Sequence, residues 1–160
     1  EALVFTRDAN WRLNLELKKL PDPMADFPVV PRVLAMIDRV GLKPDQVLVS
    51  SFQHAWLEEI RARRPALEIQ ALIGYHTDRP LDWGGLAFAT YNARATLIED
   101  DTIRQRKQEG VAINLFTVNE AADMRRFMAL GVDGLITDFP QRLTKLRTTP
   151  PGRSGEDREG

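Results

Sequence analysis

Short β-rich segments alternate with amphipathic helical ones along nearly the whole chain, and this alternation limits the fold more than any single motif does. Strands separated by helices pair in parallel, because each helix carries the chain back to the same end of the sheet. Six segments read as strands: "RLNLELK" (12–18), "QVLVSSF" (46–52), "LEIQALIG" (67–74), "LAFATY" (86–91), "VAINLFTV" (111–118) and "VDGLITD" (132–138). "VLVSSF" and "VAINLF" are almost continuously apolar, as strands covered by helices tend to be.

The spacing of apolar residues predicts helices over 31–40, with Val33, Leu34, Ile37 and Val40 on one stripe before Gly41, and over 53–64, where Trp56, Leu57 and Ile60 precede Pro65. Further helices are expected over 101–109, and over 119–130 with Asn119 as its cap and Met124, Phe127 and Met128 inward. A last one begins near "DFPQRL", and "EALVFTRDA" at the start also reads as helical. The stretch "TTPPGRSGEDREG" (148–160) has no large apolar anchor, so the expected organisation is one domain over 1–147 followed by a disordered tail.

Composition narrows the classes of function. A content of 43% hydrophobic residues in 160 suffices for a real core, and 22 basic against 23 acidic residues give a formal charge of −1. That balance argues against a nucleic-acid partner. The absence of cysteine removes disulfides and thiolate chemistry together. No apolar run approaches the roughly 20 residues that span a bilayer. Cytoplasm is the default expectation for location, and an exported form stays open because the first residue is Glu1.

Two architectures accommodate six parallel strands. A doubly wound sheet would carry a glycine-rich phosphate loop, and none of the usual patterns occurs. The expected fold is therefore α/β, an incomplete (β/α)8 TIM barrel with about six of its eight units, the other two lying N-terminal.

In such a barrel the strand "RLNLELK" acquires a meaning. With Leu13, Leu15 and Leu17 turned to the helices, Asn14, Glu16 and Lys18 face the axis, the last two near the mouth. A carboxylate and an ammonium on one interior face suit a hard divalent cation and a phosphate. They suit equally an internal Glu–Lys ion pair that merely fills space, and both readings stand at this point.

"NLELK" at 14–18, "SSF" at 50–52, "FTVN" at 116–119 and "GVDGLITDFP" at 131–140 occur in an order that resembles the glycerophosphodiester phosphodiesterase family. The C-terminal half of that family reads N-I-E-I-K, S-F, W-T-V-N and G-V-D-G-I-I-T-D-x-P. The similarity extends to about Leu146. It implies a TIM barrel that hydrolyses glycerophosphodiesters to glycerol 3-phosphate and an alcohol with a divalent metal, Mg²⁺ or Ca²⁺.

By position, Glu16 matches a metal ligand and Lys18 a phosphate contact. Phe52 matches an aromatic at the pocket mouth, and Ser51 beside it is counted with the substrate-binding residues. Phe116 replaces the family's Trp, which keeps an aromatic wall and loses the indole N–H. The family's H-R-G strand, E-x-D pair and second histidine belong to its N-terminal part and are expected upstream of Glu1. The chain alone is accordingly expected to be inactive and, with two open sheet edges, poorly soluble.

The remaining conspicuous residues have structural explanations. His54 and His76 fall on none of the family motifs and read as packing or surface residues. Trp11, Trp56 and Trp83 read as packing residues and "RARR" (61–64) as a solvated helix end; Gly131 suits a helix end and Gly134 a close backbone approach. Two other functions remain: another phosphate-handling barrel, an isomerase or aldolase, and a barrel that has lost catalysis and serves as a binding module.

Overall fold

A computed structural model describes residues 1–24 and 26–148. Helix α1 (Ala2–Asp8) leads into β1 (Leu13–Leu17), followed by α2 (Val29–Val40), β2 (Val47–Ser51), α3 (His54–Arg63) and β3 (Glu68–Ile73). A long connection with a single 3₁₀ turn reaches β4 (Thr90–Arg94), and then come α4 (Asp100–Gln108), β5 (Ala112–Phe116), α5 (Ala121–Ala129), β6 (Gly134–Leu135) and α6 (Pro140–Thr148). All strands are parallel and pair in sequence order, β1 to β6. A doubly wound sheet needs a point where the order reverses, and this one has none. The sheet curls into part of a TIM barrel.

Every pair of residues in register across neighbouring strands has the same parity, so even-numbered side chains share one face of the whole sheet. The odd face carries the core. Leu17, Val47, Val49, Ala71, Ile73, Tyr91, Ala93, Ile113 and Leu115 are buried there. They form one cluster with Leu34 and Ile37 of α2, Leu57 and Ile60 of α3, Ile103 of α4, and Met124 and Phe127 of α5. Leu48 and Leu72, on the even face, are buried outside that cluster.

Several expectations need correction. The fourth strand is not "LAFATY" but 90–94, four residues on, because Asn92 and Arg94 occupy inward positions and break the apolar pattern that marks a strand. Residues 84–86 form the 3₁₀ turn, and Phe88 packs on the Tyr91 ring beneath it. Helix α2 starts at Val29, two residues before its expected onset, and Met128 is exposed while Met124 and Phe127 are buried. Thr148 is the last residue of α6, and the rest of the expected tail, from residue 149, lies outside the described residues. No helix among the described residues is long and apolar enough to cross a membrane.

Asp133 ties the short strand β6 to its neighbour. Its carboxylate accepts a hydrogen bond from the Ile113 backbone N–H at 2.7 Å and two contacts from Lys107 Nζ at 2.8 and 2.7 Å. Burial works against the charge, but the Lys107 ammonium and the Ile113 amide outweigh it and hold this carboxyl below its ordinary range. A lowered carboxyl pKa contributes stability above the unfolded-state value, lost as pH falls through the folded one. Asp133→Asn is expected to lower the urea midpoint at neutral pH, with the gap to the parent closing below about pH 4. A constant gap across that range would assign the effect to packing.

Candidate active site

The even face is polar. Ser50 Oγ donates to Asn14 Oδ1 at 2.8 Å, Gln70 Nε2 donates to Glu68 Oε1 at 2.7 Å, and Asn114 Nδ2 reaches both Asn92 Oδ1 at 2.8 Å and Gln70 Oε1 at 3.3 Å. The bonds form two groups, Asn14 with Ser50 across β1 and β2, and Glu68, Gln70, Asn92 and Asn114 across β3, β4 and β5, which Arg12 joins at the lower rim through its ion pair with Glu68. Gly134 makes room for the second group: a Cβ there would sit 2.5 Å from Asn114 Oδ1. Asn14, Ser50, Gln70, Asn92 and Asn114 thus line the interior in two hydrogen-bonded groups, and only their types, not their partners, are visible in the sequence.

Above it opens a cleft of about 1090 Å³ at the C-terminal ends of the strands. Ligands bind at this end of a parallel barrel because the connecting loops there can vary without disturbing the sheet. Glu16 lines the cleft from β1, and Lys18 and Phe52 from the residues that follow β1 and β2. Arg94 and Phe116 line it from the last positions of β4 and β5. Phe52 stands edge-on to Phe116 with centroids 6.0 Å apart and edge-on to Tyr75 at 5.3 Å. The four side chains assigned from the motifs that face inward, Glu16, Lys18, Phe52 and Phe116, are therefore brought together.

Ser51 is the exception. Its odd position turns it to the helix side, where it is fully buried, donates to the Leu17 carbonyl at 2.7 Å and accepts from the Gln53 N–H at 2.9 Å. It does not line the cleft; Ser50 does. Asn119 also departs from expectation. Helix α5 begins at Ala121 after Glu120, and the Asn119 side chain instead accepts from Asp138 N–H at 3.0 Å and Thr137 Oγ1 at 3.1 Å. Its Nδ2 donates to Asp138 Oδ2 at 2.8 Å, so the "TVN" and "TD" motifs join the loops after β5 and β6.

The Glu–Lys ion pair does not form. Among the described residues neither Glu16 nor Lys18 has a hydrogen bond or ion pair, and both are exposed to the cleft. Their neighbours set the sign of the field: Lys18, Lys19, Arg79 and Arg94 line the cleft against the carboxylates Glu16 and Asp82. A concave surface with excess positive charge draws anions. His54 begins α3 with Nε2 3.0 Å from the Leu72 carbonyl and its ring against Phe88, a packing role on the cleft wall, and His76 lies on the exposed loop beside Tyr75. Nothing in the apolar periodicity pointed to Arg94, because a charged residue at an inward strand end looks the same in sequence as one facing solvent.

The described residues do not complete a metal centre. A hard cation takes several oxygen ligands, commonly with one or more carboxylates. Glu16 is a single carboxylate, and no group of three His, Asp or Glu side chains among the described residues stands close enough to hold an ion.

The fold and cleft define a class: parallel β/α-barrel proteins whose cleft opens at the C-terminal ends of the strands. The glycerophosphoryl diester phosphodiesterase family profile matches residues 4–142. A glycerophosphodiester phosphodiesterase of Bacillus altitudinis is 27% identical over 148 residues, 90% of this chain and 59% of that protein. One from Caldanaerobacter subterraneus subsp. tengcongensis is 28% identical over 149 residues, 91% and 59% of the two chains.

Among solved structures, a Silicibacter pomeroyi protein superposes with a TM-score of 0.71 at 26% identity, covering 84% of this chain and 50% of its own. An Oleispira antarctica phosphodiesterase, solved in complex with the product sn-glycerol-3-phosphate, shares the fold with a TM-score of 0.70 at 18% identity, covering 86% and 56%. This chain belongs to the glycerophosphoryl diester phosphodiesterase family. It spans 59% of the length of each of the two curated relatives. The family is generally metal-dependent.

Because Glu16 and Lys18 are exposed and without partners, neither contributes to the fold. Glu16→Ala and Lys18→Ala are each expected to unfold within about 0.5 kcal/mol of the parent. Chemical denaturation checks this, and a loss of several times that size would mean that the pair supports the sheet.

Proposed function

We propose that this chain supplies the phosphate-facing wall of a phosphodiesterase that hydrolyses glycerophosphodiesters to glycerol 3-phosphate and an alcohol. In this reading Mg²⁺ or Ca²⁺ is the metal and Glu16 one of its ligands. The observation that carries the proposal is the unpaired Glu16 and Lys18 on the interior face of β1 and its continuation, opening on a cleft with excess positive charge. Side chains held to fill space would have satisfied each other.

The roles of the chain's own residues follow from their chemistry. Lys18 is a compact ammonium, so it attracts the diester's charge and offsets the further negative charge that builds on the phosphoryl oxygens as water adds to phosphorus and the alcohol leaves. It needs no proton transfer to do so. Phe52 and Phe116 present apolar faces against which glycerol carbons pack, and packing there keeps water away from the rest of the phosphoryl group.

The test is hydrolysis of glycerophosphocholine by the full-length protein at saturating Mg²⁺ or Ca²⁺. Glu16→Ala is expected to reduce turnover about a hundredfold or more while the fold is kept. Turnover at the parental rate would reject the assignment of Glu16 and with it the reading of this cleft as a phosphodiesterase site.

A further inference from the structure

Arg94 ends β4 and lines the cleft between Gly74 and Phe116. Three contacts fix it. Its Nε donates to the Gly74 carbonyl at 2.6 Å, its guanidinium carbon lies 5.2 Å from the centroid of the Phe116 ring, and its stem lies against Gly74, where a Cβ would come within 2.7 Å of Arg94 Cβ. Gly74 also has φ +88°, a conformation that favours glycine, so the close approach and the backbone both require this residue type.

What the contacts leave over is informative. Neither Nη group of Arg94 has a hydrogen-bond partner among the described residues, and no carboxylate pairs with it. Arg64 and Arg126, by contrast, pair with Asp38 and Asp100 on the outer surface. A partly buried guanidinium without a counter-ion is costly, and the quadrupole of one phenyl face offsets only part of that cost. An anion in the cleft would supply the remainder. The two Nη groups form a planar fork that matches a pair of phosphate oxygens, and a fork already held in place loses little freedom on binding.

We propose that Arg94 is a phosphate-binding residue of this cleft, taking two non-bridging oxygens of the diester or of the phosphomonoester product through its Nη groups. Gly74 and Phe116 are its positioning residues. Lys18 approaches from the strand β1 wall and Arg94 from β4, so the phosphate is held between two cations on separate walls. The proposal rests on the phosphodiesterase reading and adds to it a residue outside all the motifs that carry the family resemblance.

The experiment is titration calorimetry of the full-length protein with glycerol 3-phosphate, repeated with neutral glycerol, on the parent, Arg94→Gln, Arg94→Lys and Lys18→Ala. Arg94→Gln is expected to weaken glycerol 3-phosphate binding about tenfold or more, the size of a lost charge-assisted contact, with no change toward glycerol and no matching fall in the unfolding midpoint. Arg94→Lys keeps the stem and the charge and is expected to fall between Gln and the parent. Parental affinity in both Arg94 variants, with Lys18→Ala weakened, overturns the role of Arg94 and leaves the phosphodiesterase reading standing. A parent chain that binds no glycerol 3-phosphate overturns both. If Arg94→Gln does not fold, Arg94→Lys decides, and parental affinity in that variant overturns the proposal.

Discussion

The structure depends on the burial of one face of a parallel sheet beneath helices. Burying a Leu, Ile or Val side chain contributes about 1.5–3 kcal/mol, and the odd-numbered positions of five strands bury many. Because strand side chains alternate strictly, committing the odd face to the helices commits every even position to the interior. A shift of one residue in any strand would put Asn92 or Glu16 under a helix and expose Ile113 or Leu17. The register is therefore set by the outside of the barrel, and the contents of the inside follow from it.

That division frees the interior from the task of stabilising the fold. An interior filled by leucine and isoleucine would be a second core; here Ser50 bonds Asn14, and Asn114 bonds Gln70 and Asn92. Such networks add little net stability, yet they fix rotamers, because each lost partner leaves a buried polar atom exposed to the full desolvation cost. Asn92 Nδ2 is already in that state, buried with no partner among the described residues. Hydrogen-bonded polar groups lie below and charged groups line the cleft above, which suits a site whose side chains must be held in position before ligand arrives.

Much of this was legible because the physics of the outer face writes itself as periodicity. Five of six strands and the main helices follow from apolar spacing alone, and the interior orientation of Glu16 and Lys18 follows once the leucines between them are assigned to the helices. The failures share a cause. "LAFATY" lost to "TYNAR" because an inward Asn and an inward Arg look polar, whereas the apolar run before them forms a turn. Ser51 is counted with Phe52 among the substrate-binding residues, yet neighbours in a strand point to opposite faces and Ser51 is the one buried on the helix side. Asn119 lies one residue before the cap position of α5, which is Glu120, and its side chain bonds Asp138 and Thr137 in the loop after β6, a tertiary partnership with no local signature.

The cleft's cations come from three separate segments of the chain, the residues after β1, the β3–β4 connection and the end of β4. Four like charges on one strand or loop would repel at short range and be neutralised by nearby carboxylates, as the surface arginines of α3, α4 and α5 are. Distributed over β1, the β3–β4 connection and β4, Lys18, Lys19, Arg79 and Arg94 each remain without a carboxylate partner among the described residues while their fields add in the space between them. Glu16 stands within this set as a carboxylate facing the same cleft. A phosphate placed there is attracted by the cations of several walls and repelled by one carboxylate. Were a divalent cation bound, Glu16 would be the carboxylate on this chain's cleft wall able to give it an oxygen ligand, and the cation's charge would offset that residual repulsion.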